Sequence, residues 1–295
     1  MSESNRISDE LETRYLAERK PSYVLEISAL THPGLVRENN EDHYAVIRRT
    51  RSQQVLDSNV PLTERDQRTD HAYLLMVADG VGGVQFGEVA SRLALRTIWE
   101  LADQLHSWVM KIGDFESKFE EIRERVTIAV QRIQRAFESA AESNPELHNM
   151  GTTLTAAFVT GPDVIVVNLG DSRAYLHRNG RLFQQTHDHT LAQEWIDGGA
   201  KPDEVAKVRN VLTKCLTSML PDARPDIDYL AIQPGDRLLL CSDGLSDLVE
   251  ADAIAAHLGA ESDSGIIARK LVDDALAAGG RDNVTVIVAR VHEER

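Results

Sequence analysis

The first third of the chain contains segments in which apolar and polar residues alternate, the pattern typical of half-buried β-strands. Residues 22–30 and 42–48 predict two such strands. The apolar run Tyr73–Ala78 predicts a buried strand that ends in a turn at Asp79-Gly80. The intervening stretch 49–70 is polar and has little to bury, so we expect an exposed insertion there.

The pattern then changes to a helical period. Helices are predicted over Gly87–His106 and Glu116–Ala141, and the second carries one apolar stripe that should pack against a core. Period-two segments follow and predict four strands, with the sequences TLTAAFV, DVIVVNL, RAYLH and RLFQQT. Asn179-Gly180 lies between the last two and predicts a tight hairpin turn.

The last third mixes short helices with further strands. The predicted helices and strands are, in chain order, Thr190–Gly198, Arg237–Cys241 (strand), Ala251–Leu258, Ser264–Ala278 and Val284–Val291 (strand). Helices that interrupt antiparallel strands favour an α/β fold with four layers, α/β/β/α, in which two mostly antiparallel sheets are flanked by helices. No repeat or linker divides the chain, so we expect a charged extension over 1–20 and a single domain over 21–295.

Composition excludes several classes of function. Lys and Arg number 32 against 47 Asp and Glu, giving a formal net charge of −15, so neither nucleic acid nor a membrane is an expected partner. The only cysteines, Cys215 and Cys241, form no CxxC pair and are interpreted as core residues. No signal peptide or bilayer-spanning run occurs. We therefore expect a soluble, monomeric, cytoplasmic protein.

The candidate functional residues are three aspartates that stand at the ends of predicted apolar strands. Asp79 follows LLMVA, Asp243 follows RLLLCS, and Asp282 precedes NVTVIVARV. Charges at the margin of a core are costly unless a partner compensates them. Because the candidate ligands are carboxylates and include neither histidine nor cysteine, they favour magnesium or manganese over zinc. Glu41 and Asp42 are adjacent on a strand, so at most one of them can easily join the same site.

Seven short segments occur in the order THPGLVRENNED, VADGVGG, MGTTL, NLGDSRAY, THDHT, CSDGL and GGRDNVTVIV, within residues 22–292. Together they resemble the metal-dependent protein serine/threonine phosphatases of the protein phosphatase 2C type, particularly compact bacterial members. The resemblance implies hydrolysis of phosphoserine and phosphothreonine in phosphoproteins, opposing a Ser/Thr kinase. It also implies two divalent cations, Mn²⁺ or Mg²⁺, and direct attack on phosphorus by a water that bridges them.

The resemblance also assigns roles to individual residues. It implies that Asp79 bridges both metals, that Asp243 and Asp282 complete one site, and that Glu41 and the Gly80 carbonyl complete the other. Asp42 would orient metal-bound water. Arg37 would hold the substrate phosphate with its planar fork of donors.

The stretch 201–228 would correspond to a flap beside the metal centre. We expect it to take part in substrate recognition, since loops near a rigid catalytic site commonly do so. Its cationic residues could contact acidic phosphoprotein surfaces; they are Lys201, Lys207, Arg209 and Lys214. A surface loop without a role is the simpler alternative.

Two positions depart from the family pattern. Some members carry a histidine after the Asp-Gly of the bridging motif as the acid for the leaving group, and this chain has Val81 there. His32 and His43 are weak candidates for that role, and water is another. Related bacterial enzymes also hold a third metal with an aspartate just before the MGTT segment, where this chain offers Glu146 or no ligand.

The remaining polar residues of the motifs have simpler structural interpretations. His187 and His189 flank Asp188 in a pattern that superficially resembles a metal site, but a structural role is favoured. Asp171 in GDSR is interpreted as a turn residue and not as a ligand. Two alternative functions stay open: a catalytically silent module that binds phosphoproteins, and a hydrolase of small phosphate esters. The intact set of carboxylates, together with Arg37, disfavours the silent module.

Overall fold

A computed structural model describes residues 21–60, 68–81, 86–109, 118–219 and 224–294. The predicted extension over 1–20 lies outside these residues. Antiparallel pairing joins most of the strands into two five-stranded sheets. The first sheet contains, in spatial order, β1 (Tyr23–His32), β13 (Val284–Glu293), β12 (Arg237–Cys241), β8 (Arg173–Arg178) and β9 (Arg181–Gln184).

The second sheet contains, in spatial order, β11 (Asp226–Ala231), β7 (Asp163–Leu169), β6 (Leu154–Thr160), β3 (Arg68–Ala78) and β2 (His43–Gln53). A small third sheet joins β10 (Leu216–Thr217), β5 (Gly151–Thr152) and β4 (Gly80–Val81). The predicted hairpin between β8 and β9 is confirmed. Asn179 and Gly180 both have positive φ, 52° and 75°, as a tight two-residue hairpin turn requires.

Helices cover the outer faces of both large sheets. They are α1 (Gly87–Val109), α2 (Phe119–Ser143), α3 (Leu191–Asp197), α4 (Asp243–Ser246), α5 (Ala251–Gly259) and α6 (Ser264–Ala277). Short 3₁₀ turns occur at Pro145–Asn149 and Ala206–Val208. The predicted start of the second helix, Glu116, lies outside the described residues. None of the described helices is long and apolar enough to cross a membrane.

Three apolar clusters hold these layers together. Leu75, Val166 and Ile287 belong to the cluster between the two large sheets. Phe137 and Met76 belong to the cluster between the second sheet and helices α1 and α2, and a third cluster packs α5 and α6 on the first sheet. The predicted α/β/β/α arrangement is therefore confirmed.

The stretch 49–70, expected to be an exposed insertion, has regular structure at both of its ends. The β2–β3 pairing continues past the predicted strands, from Arg49 opposite Ala72 to Gln53 opposite Arg68. This hairpin extends beyond the apolar core, because main-chain hydrogen bonds between antiparallel strands do not require burial of both faces. Polar side chains can therefore occupy its outer part.

The loop predicted over 201–228 also contains regular structure. Leu216 and Thr217 are buried in the small sheet, and Asp226–Asp228 begin β11 at the edge of the second sheet. In β11, Ile227 and Tyr229 pack toward the helices while Leu230 packs toward the other sheet. The strand is thus an amphipathic edge strand whose aspartates obscure its pattern.

We expect Phe137→Ala to lower the free energy of unfolding by about 3–5 kcal/mol, because it leaves a cavity between α2 and the second sheet. Ile128→Ala, on the exposed side of the same helix, should cost under about 1 kcal/mol. Urea unfolding monitored by circular dichroism measures both values. Equal losses in the two variants would contradict this packing.

Candidate metal centre

Asp79 lies where β3 ends and the small sheet begins. Its N–H donates to Thr153 Oγ1 at 3.0 Å. Its carbonyl oxygen accepts hydrogen bonds from Thr152 Oγ1 at 2.7 Å and from the Thr153 N–H at 2.9 Å. The MGTT segment therefore fixes the backbone from which the Asp79 carboxylate projects.

Glu41 reaches the same region because Gly87 and Gly80 have no side chains. The Glu41 carboxylate can therefore approach Gly87 closely, and the backbone of Gly87 can approach Gly80. A Cβ on Gly87 would lie 2.5 Å from Glu41 Oε2, and a Cβ on Gly80 would lie 2.5 Å from the Gly87 backbone. Gly87 is the first residue of α1, so the Glu41 carboxylate lies at the positive end of that helix. The contacts place Glu41 close to Gly80, the residue with which the family resemblance pairs it.

Asn283 ties the segment that carries Arg37 and Glu41 to the start of β13. Its Oδ1 accepts a hydrogen bond from the Glu41 N–H at 2.7 Å, and its Nδ2 donates to the carbonyl oxygens of Pro33 and Asn39 at 2.9 Å. The neighbouring Asp282 is thereby held near Glu41, although the two residues are far apart in sequence.

Asp42 is only 3% exposed, and its two carboxylate oxygens differ. Oδ2 accepts a hydrogen bond from Ser242 Oγ at 2.7 Å, and Ser242 Oγ in turn accepts from the Thr285 N–H at 3.0 Å. Oδ1 is buried and has no hydrogen-bond partner. Burial is the main cause that raises the pKa of Asp42 to about 6.

Burial, followed by the charges of neighbouring carboxylates, raises the pKa of Asp79 and of Asp243. The pKa of Asp79 is raised, first by burial and then by the charges of Asp42, Asp243, Asp171 and Asp282. The pKa of Asp243 is raised by burial and then by Asp171 and Asp247. Asp243 Oδ1 is also buried without a hydrogen-bond partner. These residues therefore form one region of concentrated negative charge.

Arg37 forms an ion pair with Asp282, with 2.6 Å between Nη2 and Oδ2. This hydrogen bond is the main cause that raises the pKa of Arg37, and the charges of Glu41 and Asp243 add to it. The arginine expected to hold phosphate thus acts as a counter-cation within the carboxylate region. Sequence separation hides this contact, because the partners are 245 positions apart.

The donor set fits hard divalent cations. It consists of carboxylate oxygens and a backbone carbonyl, and two of the buried carboxylates each leave one oxygen unpartnered. Among the described residues, no three His, Cys, Asp or Glu side chains converge tightly enough to form a complete ligand set as they stand. Mutual repulsion opposes such convergence in the absence of compensating charge. Glu41, Asp79, Gly80, Asp243 and Asp282 are the residues that could hold ions here.

Two further acidic residues were weighed from the sequence. Glu146 is exposed on the 3₁₀ turn Pro145–Asn149, and the charges that chiefly act on Asp243 come from elsewhere. Asp171, interpreted from the sequence as a turn residue and not as a ligand, also lies near the carboxylate region, where its charge raises the pKa of both Asp79 and Asp243.

The histidines have mainly structural contacts. His189 is buried and accepts the Gly170 N–H at Nδ1, and its Nε2 lies 3.1 Å from Asp226, while His187 pairs with Asp197. His32 Nδ1 accepts the Gly34 N–H at 3.0 Å. The structural interpretation of the THDHT motif is consistent with these contacts.

His43 is poorly suited to act as an acid. Its Nδ1 lies 2.8 Å from Ser91 Oγ, and burial lowers its pKa, which favours the neutral ring. In the loop predicted as a flap, Lys214 contacts Asp226 at 3.0 Å and is therefore engaged within the chain. Cys215 and Cys241 are free, and burial raises the pKa of Cys215 to about 11 and that of Cys241 to about 12, as expected of packed thiols.

Comparison with known proteins adds independent findings. The family model described as Protein phosphatase 2C matches residues 64–277. The chain is 37% identical over 276 residues to the serine/threonine protein phosphatase PstP of Mycobacterium tuberculosis, a match that covers 91% of this chain and 45% of that relative. This chain therefore spans less than half of that protein's length.

Shorter relatives and solved structures align over almost their whole length. The serine/threonine phosphatase Stp of Listeria welshimeri is 29% identical, over 88% of this chain and 92% of that relative. The crystal structure of the PstP catalytic domain in complex with two manganese ions superposes with a TM-score of 0.70 at 35% identity. That match covers 92% of this chain and 100% of that one.

We expect Asp171→Asn to reduce the pH dependence of stability in the chelated protein. Burial, followed by the charge of Asp188, raises the pKa of Asp171 to about 7, so the folded state holds this proton more tightly than the unfolded state. Its contribution to stability is fully present below pH about 4 and is lost as the pH rises through about 7, at no more than about 1.4 kcal/mol per pH unit.

Urea unfolding across this pH range, in excess chelator, measures the effect. The asparagine variant should show a flatter dependence than the parent, because it has no proton to lose. Parallel curves for the two proteins would contradict the placement of Asp171 in the carboxylate region.

Proposed function

This chain belongs to the protein phosphatase 2C family, and we propose that it hydrolyses phosphoserine and phosphothreonine in proteins with two bound divalent cations, manganese or magnesium. The observation that carries the proposal is the group of carboxylates around Asp79, which needs cationic compensation. The two manganese ions in the PstP catalytic domain support the choice of metal. The Ser/Thr phosphatase relatives support the substrate class.

We propose Asp79 as the ligand common to both ions, Asp243 and Asp282 as ligands of one, and Glu41 with the Gly80 carbonyl as ligands of the other. When bound, such ions lower the pKa of a coordinated water and stabilise the charge that develops on a phosphoryl group. A third ion stays a prediction, without a supporting contact from Glu146.

Asp42 and Arg37 act on the reactants in this proposal. The unpartnered Oδ1 of Asp42 can accept a proton from the attacking water, while Ser242 holds the other oxygen of the carboxylate. Arg37 binds phosphate with its guanidinium, after exchanging Asp282 for the substrate oxygens. Because His43 favours its neutral form and Val81 has no proton to give, we assign protonation of the leaving alkoxide to water.

A protein substrate is favoured over a small phosphate ester by the surface around Arg37. Leu35 and Val36 precede it in the chain and are 65% and 67% exposed. Exposed apolar side chains beside a phosphate-binding group can contact the residues that flank a phosphorylated serine or threonine. A small phosphorylated metabolite offers nothing for them to contact.

The direct test compares turnover of phosphoserine and phosphothreonine peptides with that of small phosphometabolites, in the presence of Mn²⁺. Peptide hydrolysis should dominate kcat/KM. Efficient turnover of metabolites alone would replace the proposal by a small-ester hydrolase, and peptide binding without turnover would indicate a silent module.

The cellular setting follows from the proposed reaction. A Ser/Thr kinase must supply its phosphoprotein substrates, and we propose that the enzyme acts as a monomer. Both cysteines are free, which supports a reducing compartment such as the cytoplasm.

We expect activity toward p-nitrophenyl phosphate to vanish on chelation and to return with Mn²⁺ or Mg²⁺. Asp79→Asn should lower kcat/KM by at least about a hundredfold, because it weakens both proposed ion sites. Asp243→Asn and Asp282→Asn should be less severe. Full activity in excess chelator, with metal analysis confirming removal, would rule out the two-metal proposal.

We expect Arg37→Ala to raise KM by roughly tenfold or more, the loss of a charge-assisted hydrogen bond of about 1.5–3 kcal/mol. Calorimetry should also show tighter Mn²⁺ binding, because Asp282 loses its competing cation. Arg37→Lys keeps the charge, so its Mn²⁺ affinity should lie between that of the parent protein and that of Arg37→Ala. Weaker Mn²⁺ binding by Arg37→Ala would contradict a competitive ion pair.

A further inference from the structure

A cavity of about 420 Å³ opens beside the carboxylate region, between helices α3 and α5 and strands β8 and β9. Asp171 and Asp243 line it, so its inner end adjoins the residues around Asp79. The proposed reaction leaves this volume unused. A group bound there would lie next to a phosphorylated residue held at the metal centre.

The charged lining of the cavity is mainly acidic. Five carboxyl groups and two guanidinium groups contribute to it. Arg173 already has an anionic partner within the chain, because it forms a 2.5 Å ion pair with Asp188. Among described residues, neither Asp247 nor Glu250 has an ion-pair partner, and Ser246 Oγ is buried without a hydrogen bond. The cavity thus offers unpaired acceptors to a donor from outside.

Part of the remaining lining is aliphatic. Leu182, Ile196, Val249 and Ile254 line the cavity together with the acidic residues. A lysine or arginine side chain matches this combination, because its methylene stem can pack on apolar surface while its charged end meets carboxylates. A hydrated metal ion would gain nothing from contact with these aliphatic side chains.

The chain itself places a guanidinium at this site. Arg209, from the segment predicted as a flap, lines the cavity. Burial raises the pKa of Asp247, and the charge of Arg173, followed by that of Arg209, opposes this shift. One cation from the flap therefore already interacts with the acidic lining.

We propose that this cavity binds a lysine or arginine side chain of the substrate, close in sequence to the phosphorylated residue. The proposal rests on the proposed function, because it concerns phosphoprotein substrates. The cavity would make the enzyme select phosphorylation sites that have a basic neighbour. Glu250, at its acidic lining, is a specificity residue in this scheme and has no part in the hydrolytic step.

The test uses the Mn²⁺-loaded chain and phosphothreonine peptides with alanine elsewhere. A single lysine occupies each flanking position in turn, and each peptide has a partner with norleucine in place of lysine. At one position, lysine should raise kcat/KM by roughly three- to tenfold, the range of partly screened ion pairs. Glu250→Gln should reduce this preference to roughly half or less.

Asp252→Asn is the matched control. Asp252 is exposed in the first turn of the same helix, α5, carries the same charge and does not line the cavity. Glu250 is the residue before the helix and makes no side-chain capping bond, so its replacement removes no cap. Both variants should keep the parent's activity on p-nitrophenyl phosphate and its Mn²⁺ stoichiometry.

Three results would overturn this inference and leave the proposed function standing. The first is the absence of a lysine preference in the parent. The second is an equal loss of preference in Glu250→Gln and Asp252→Asn, which would indicate only the general electrostatic field of an acidic protein. The third is loss of a bound Mn²⁺ in Glu250→Gln, which would indicate that the cavity holds a metal cation. If no phosphopeptide is hydrolysed while p-nitrophenyl phosphate is, the proposed function fails and this inference fails with it.

Discussion

Repulsion between carboxylates at one edge of the sheets is the constraint on which the rest of the site depends. Asp79, Asp243 and Asp42 are partly or wholly removed from water, which raises the pKa of each, and the charges of Asp42 and Asp243 raise that of Asp79 further. Such groups stay together only if the backbone that carries them is rigid and cations compensate their charge. The fold supplies the rigidity, and Arg37 and the proposed ions supply the charge.

Rigidity comes from hydrogen bonds that cross between the sheets and the loops. Thr152 and Thr153 hold the backbone of Asp79, Ser242 holds Asp42, and Asn283 holds the backbone of Glu41. These polar residues are themselves buried, so each hydrogen bond is both needed and protected from water. The family motifs are therefore largely the scaffold of the carboxylates, and only a few of their residues reach the reaction.

Strands with long apolar runs could be predicted from the sequence, because burial on one or both faces leaves a periodic pattern. The two-residue strands β4, β5 and β10 could not, since no period exists over two positions. Strand β11 was missed because aspartates interrupt its alternation. Strands that form because of their neighbours in space, and not because of their own composition, cannot be predicted from the hydrophobic pattern of the sequence.

The same distinction applies to the site. Asp79, Asp243 and Asp282 stand out because each adjoins an apolar strand, so a charge meets a core. Asp171 lies between a glycine and a serine, and only the folded chain shows that its charge acts on Asp79 and Asp243. The Arg37–Asp282 pair depends on contact between distant segments, which no local spacing can report.

The position of β13 in the first sheet has a consequence for the synthesis of the protein. This strand lies between β1 and β12, although it is the last described strand of the chain. Until it leaves the ribosome, β1 has no partner in the sheet, and Asp282 and Asn283, just before it, cannot meet Glu41. The second sheet can pair earlier, so Asp282 joins the carboxylate region only after the segment that carries β13 has been translated.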